Sequence, residues 1–201
     1  MAIVNGYTTA ADVQNALGLG TATLTPDTAE IEAAISAVSR QVDDYTGRFF
    51  YSTGGTVLFT ANDYLFLPIG DWSAVSSVMI DENNTGTPTV ALNGTTDFRL
   101  TFNRDMPGAP YTAIQITSYA ANSLPFGVTE GVKVSGTRGW SAVPEPVKAA
   151  TLLQSVRIFA RRQSPYGVAG SPEGGIVRLL ARLDPDVEAM LRPYRVPREA
   201  I

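Results

Sequence analysis

Residues 30–50 read EIEAAISAVSRQVDDYTGRFF. Ile31, Ile35, Val38, Val42 and Tyr45 recur at alternating spacings of four and three, which sets them on one stripe of an α-helix. Asp27 or Thr28, just after Pro26, can cap the start by accepting backbone N–H groups. Gly47 suits the end, where a residue in the left-handed region closes a helix cheaply. Arg48, Phe49 and Phe50 then leave in an extended direction. One such helix cannot bury its stripe alone. The only other long helical pattern runs over 147–162, about 95 residues further on. There Ala149, Leu152, Val156 and Phe159 form one face, widened by Ala150, Leu153 and Ala160. The two patterns predict a helix pair with Ile35, Val38 and Val42 packed on Leu152, Val156 and Phe159. By itself this is an ordinary two-helix core.

Between the helices the period changes to two. Val57 and Phe59 alternate, as do Leu65, Leu67 and Ile69; then come Val78 and Ile80, Val90 and Leu92. Phe98, Leu100 and Phe102 are the clearest run, followed by Ile114 and Ile116 and by Val132 and Val134. These read as short strands with one buried face. Turn signals separate them: Gly54-Gly55, Asn62-Asp63, the run Asn83-Asn84-Thr85-Gly86, Asn93-Gly94 and Pro107-Gly108. Strands so closely spaced predict an antiparallel sandwich or small barrel. The class is therefore α+β: a helical bundle core from the N- and C-terminal segments, with an inserted antiparallel β-rich region. The boundaries expected are 1–50 with 140–192 for the helical core, 51–139 for the insertion and 193–201 for an extended C-terminal tail.

The ends carry shorter signals. Thr8 or Thr9 can cap a helix from Ala10 to Leu17, closed by Gly18. Asp184 can cap another from Pro185 to Leu191. The stretch 163–175 is rich in glycine, proline and serine and reads as a mobile loop. Arg192-Pro193-Tyr194-Arg195-Val196-Pro197-Arg198 has two prolines and too few apolar residues to fold alone. If the tail serves only to dock on a partner, deleting 193–201 is expected to leave the melting temperature unchanged.

The chain of 201 residues has no cysteine and no histidine. Disulfides and thiolate metal sites are excluded, and the commonest general base and metal ligand are missing. Asp81-Glu82-Asn83-Asn84-Thr85-Gly86 resembles the first half of a calcium loop, but its twelfth position is Leu92, so a polar turn is the better reading. Gly170 and Gly175 have the spacing of a phosphate loop, yet Ile176 and Val177 stand where a lysine and a hydroxyl residue are required. Asp43-Asp44 are neighbours on a helix and do not face each other. No catalytic residue, metal site or cofactor site is expected, and the protein reads as a non-enzyme.

Net charge is −4, unevenly distributed: nine cations against six anions follow Pro144, and six against thirteen precede it. Such a split fits two surfaces that meet different partners, or a mixed surface with no meaning in the split. No basic segment leads into an apolar run at the N-terminus, and no apolar stretch reaches spanning length, so a soluble protein without a membrane partner is expected.

Three passages together resemble a known family. They are IEAAISAVSRQVDDYTGRFF; Gly139-Trp140 through Val143-Pro144 into the alanine- and leucine-rich helix ending in Arg161-Arg162; and LDPDVEAMLRPYR at 183–195. In this order they resemble the head-to-tail connector, or adaptor, proteins of tailed bacteriophages. The likeness covers both helical ends, rather less than half the chain, and the β-rich middle is similar to an insertion that some relatives carry. It implies a structural virion protein in a homo-oligomeric ring, commonly a dodecamer, at the neck. The portal protein would lie on one side and stopper or tail proteins on the other, with DNA passing through the channel without sequence-specific binding. The implied location is the virion neck, and the host cytoplasm during assembly. The tail then becomes the candidate portal contact, through Arg192, Tyr194, Arg195 and Arg198. The alternative is a non-catalytic β-sandwich module that binds carbohydrate or a surface, using Trp72 and Tyr119.

Overall fold

The computed structural model describes residues 3–18, 28–118, 120–161, 168–169, 177–178 and 183–196. The chain divides into two compact units, 1–50 with 143–201, and 51–142. The first is helical and the second is a sheet, so the class is α+β.

In the helical unit, α1 spans Ala10–Ala16. Thr9 accepts the Asp12 N–H while the Asp12 carboxylate accepts from the Thr9 N–H and hydroxyl, a reciprocal capping box that satisfies the first orphan donors. Those bonds hold the Asp12 carboxyl below its usual range. Helix α2 spans Thr28–Thr46 and ends where Gly47, at φ +71°, donates to the Asp43 carbonyl at 2.8 Å. Ile31, Ile35, Val38 and Val42 are fully buried, and the stripe closes on Thr46 rather than on the half-buried Tyr45. Asp27, one of the two expected caps, lies outside the described residues.

Helix α3, Glu145–Arg161, packs on α2. Its buried face is Val147, Ala150, Thr151, Gln154, Ser155 and Phe159. This is rotated from the expected apolar face: Ala149 is exposed, and Leu152 and Val156 are half-buried beside Phe159 and Ile35. The reason is a second neighbour. Helix α4, Pro185–Leu191, also lies on α3 and buries Val187 and Leu191. Between two helices, small side chains at Ala150, Thr151 and Ser155 allow close approach, and Thr151 returns its hydroxyl to the Val147 carbonyl at 2.8 Å. Asp184 ties α3 to α4: it accepts from the Asp186 N–H at 2.8 Å as the cap of α4 and pairs with Arg157 of α3.

In the β unit the strands are β1 (Thr53–Phe59), β2 (Phe66–Ile80), β3 (Val90–Leu92), β4 (Phe98–Phe102), β5 (Tyr111–Ile116) and β6 (Val132–Arg138). They form one antiparallel sheet in the order β1-β6-β2-β5-β4, with β3 also on β2. The sequence separates Leu65–Ile69 from Val78–Ile80, whereas both belong to the 15-residue β2. Its first half pairs with β5 and its second with β6, and Trp72 sits at the exchange, opposite both Tyr111 and Arg138. Register shifts between Pro68 and Trp72 and again between Val75 and Ser77 absorb the bend, as bulges do. Gly54 and Gly55 do not turn the chain: they lie inside β1, with Gly55 opposite Gly136 of β6. Leu67, Ile69, Trp72, Val78, Ile80, Ile114, Val132 and Val134 form the centre of one core.

Two expected strand residues point elsewhere. Leu65 precedes β2 and is exposed. Phe102 continues the alternation of Phe98 and Leu100, yet a register shift after Thr101 turns it outward against the edge of Tyr111. Within 163–175, read as a loop, Val168–Ala169 pair antiparallel with Val177–Arg178, forming β7 and β8.

Candidate functional site

Among the described residues no group of three or more acidic side chains is placed to hold a metal ion. The calcium-like turn is occupied by its own backbone. Asp81 accepts from the Thr85 N–H at 2.9 Å, the Thr85 hydroxyl at 3.1 Å and the Gly86 N–H at 2.7 Å. The Thr85 bond leads the group that keeps its carboxyl below the usual range. Each carboxylate oxygen already serves the turn.

The arrangement in the helical unit that the sequence did not signal centres on Tyr7. Its hydroxyl donates to Asp43 and accepts the Phe50 N–H at 2.9 Å; its own N–H donates to the Ser39 hydroxyl at 3.2 Å. The Arg40 guanidinium lies 5.8 Å from the Tyr7 ring centre, pairs with Asp43 at 3.2 Å and donates to the Asn5 carbonyl at 2.9 Å. Burial pushes the Asp43 carboxyl up, against the opposing pull of Tyr7 and Arg40. Burial, then the Asp43 bond, also pushes the Tyr7 phenol up. Tyr7 lies in a segment with no periodicity, so nothing in the sequence marks it. Only folding brings it beside Asp43, 36 residues away.

The candidate tail is partly docked on its own chain. Arg192–Tyr194 form a 3-10 turn after α4, and Val196 donates to the Thr46 carbonyl at 2.8 Å. The Tyr194 ring meets the edge of Phe50 at 5.7 Å between centres, and burial raises its phenol. Arg195 lies over the Tyr45 ring at 5.6 Å. Residues 192–196 therefore do not run as a free extended segment. The proline in the turn and the Phe50 edge give the tail a surface that composition alone does not reveal. Arg192 and Arg195 remain exposed, while Arg198 lies outside the described residues.

The helix-packing residues fall in the helical unit. Ile35, Phe159, Leu152 and Val156 share one cluster with Val13 of α1, and Val38 and Val42 are fully buried. Trp72, proposed as a sugar platform in the alternative reading, is fully buried and donates its indole N–H to the Ile69 carbonyl at 2.9 Å. It presents no face to a ligand. Tyr119 lies outside the described residues. Among the described residues no helix is long and apolar enough to cross a membrane.

No protein-family model matches the chain, and no curated protein matches it. Solved structures do. A chain from the neck of an empty gene transfer agent (GTA) particle, computed with C6 symmetry, aligns at 20% identity and TM-score 0.60 over 98% of this chain and 94% of that one. A chain from the virion of a native GTA particle gives 21% and 0.59 over 98% and 94%. One from the neck of a native GTA particle, computed with C12 symmetry, gives 18% and 0.56 over 98% and 93%. The chain thus shares its fold with chains from the neck and virion of GTA particles, across its β-rich middle as well as its helical ends.

Proposed function

We propose that this chain is a structural neck protein, an adaptor that forms a ring between the portal and the stopper or tail proteins around the DNA channel. The single observation that carries the reading is the full-length fold likeness to chains in the neck and virion of GTA particles, two of those necks computed with sixfold or twelvefold symmetry. A cyclic ring needs a heterologous surface whose rotation closes. The half-buried Leu152 and Val156 of α3 are candidates for it. The role is non-enzymatic. DNA contact is weak and without sequence preference, and falls steeply with salt through counterion release.

The test is removal of the gene from the particle-producing cell, followed by electron microscopy of what assembles. DNA-filled heads without tails, rescued by supplying the protein, are expected. Normal tailed particles in its absence would overturn the reading.

A further inference from the structure

At one end of the β unit, large apolar side chains stand in water. Tyr64 is 58% exposed, Leu65 55%, Phe66 46% and Phe126 53%. The Tyr64 and Phe126 rings are stacked, with centres 5.0 Å apart and planes at 25°. The backbone that carries them is pinned. Asp63 accepts the N–H groups of Leu65 and Phe66 at 2.6 and 3.0 Å. Leu124 donates to the Tyr64 carbonyl at 2.9 Å, Ile116 to that of Leu65 at 2.8 Å and Gly127 to that of Ala61 at 2.8 Å. The rings are held out by a fixed loop. A cluster so exposed and so fixed marks a contact surface rather than a loose tip.

The surroundings state what kind of partner fits. Tyr64 and Phe126 line a cleft of about 390 Å³ together with Glu82, Asn122, Leu124 and Val128. Glu82 is exposed and makes no hydrogen bond or ion pair among the described residues. The charged residues of the three segments that meet here (60–66, 81–86 and 121–131) are Asp63, Asp81, Glu82 and Glu130. All are acidic. That sign repels nucleic acid and anionic lipid and attracts a cation.

We propose that this cleft receives an arginine or lysine side chain from another protein, carried on a segment with apolar residues beside it. The cation would lie over the Tyr64–Phe126 pair and donate to the Glu82 carboxylate, joining a cation–π contact to a charge-assisted hydrogen bond. The apolar neighbours would cover Leu65 and Phe66. This does not depend on the neck assignment, and it is tested on the isolated chain.

The experiment is NMR titration of isotope-labelled full-length protein with a synthetic peptide, acetyl-Gly-Leu-Arg-Leu-Gly-amide, and with the same peptide carrying neutral citrulline for arginine. Shifts confined to the amides around Tyr64, Glu82 and Phe126 are expected with the arginine peptide. Glu82→Lys and Phe126→Ala should each weaken the response at least tenfold. Glu145→Lys, the same charge change in the helical unit, should leave it unchanged. No shift at millimolar peptide, equal response to citrulline, or equal weakening by Glu145→Lys would each overturn the proposal. The first denies a site, the second leaves a merely apolar contact, and the third leaves only long-range attraction. Circular dichroism melts confirm that the variants are folded.

Discussion

The Tyr7 hydroxyl bonds Asp43 on one side and the Phe50 N–H on the other, so one phenol fixes both the last turns of α2 and the point where the chain leaves the helical unit. Tyr7→Phe removes the hydroxyl that both the half-buried Asp43 carboxylate and the Phe50 N–H bond, leaving Asp43 its Arg40 pair. A loss of about 1–3 kcal/mol in urea unfolding is expected. The pH dependence carries the same signature. Both groups are acids whose protonated form the fold favours, so the folded chain binds more protons than the unfolded one and stability falls as pH rises. For Asp43 the fall begins above the ordinary 3.8, and for Tyr7 above 10.0. Tyr194, also raised, adds to the alkaline part. Tyr7→Phe should reduce the loss of stability above pH 10.0 without abolishing it. An unchanged alkaline profile would refute the Tyr7 contribution.

Gly55 and Gly136 face each other across β1 and β6 but differ in what surrounds them. A Cβ on Gly136 would lie 2.2 Å from the Ala74 carbonyl oxygen, inside the β2 bulge, whereas one on Gly55 would meet nothing within 4 Å. Gly136→Ala should cost about 2–3 kcal/mol, because the obstacle is backbone and cannot rotate away. Gly55→Ala should stay within about 0.5 kcal/mol of the parent. Thermal melts of the two variants side by side make the comparison.

Deleting 193–201 should lower the melting temperature, because it removes Tyr194 from the Phe50 edge and the Val196 bond to Thr46. The sequence alone suggested no change. A failure of such a truncated chain to join heads would therefore mix folding with docking. Arg192→Ala and Arg195→Ala, both at exposed positions, separate them: normal melting with loss of head joining is the result a portal contact requires.

A segment spanning 51–142 encloses the whole β1–β6 sheet and its core. Expressed alone it should give a strand-type circular dichroism spectrum with a single cooperative melt. A random-coil spectrum would show that the sheet depends on the helices.

Residues with a local signature were readable from sequence: a cap at Thr8 or Thr9, the Ile31-Ile35-Val38-Val42 stripe, the Asp184 cap and the Phe98–Leu100 alternation. What was hidden depends on a second neighbour. The runs Leu65–Ile69 and Val78–Ile80 look like two strands, yet β2 carries the chain through both because it changes partner between them. The apolar side of α3 looks like its buried face, until α4 claims the adjacent one. Phe102 obeys the alternation and is turned out by a bulge in its pairing. The candidate surface was missed for the same reason. Tyr64 and Phe126 are 62 positions apart, and neither is unusual until the fold stacks them.

The order of synthesis follows from the way the helical unit is split by the β unit. Residues 51–142 are complete before the first turn of α3 has been made. The sheet can close on itself while the chain is still growing, since domains tend to fold as units in the order they emerge. Helix α2 has no such opportunity. Its buried stripe must wait, exposed on the nascent chain, until the other half of its own unit arrives. A pause in translation before Glu145 would lengthen that exposure, and one after Leu191 would not.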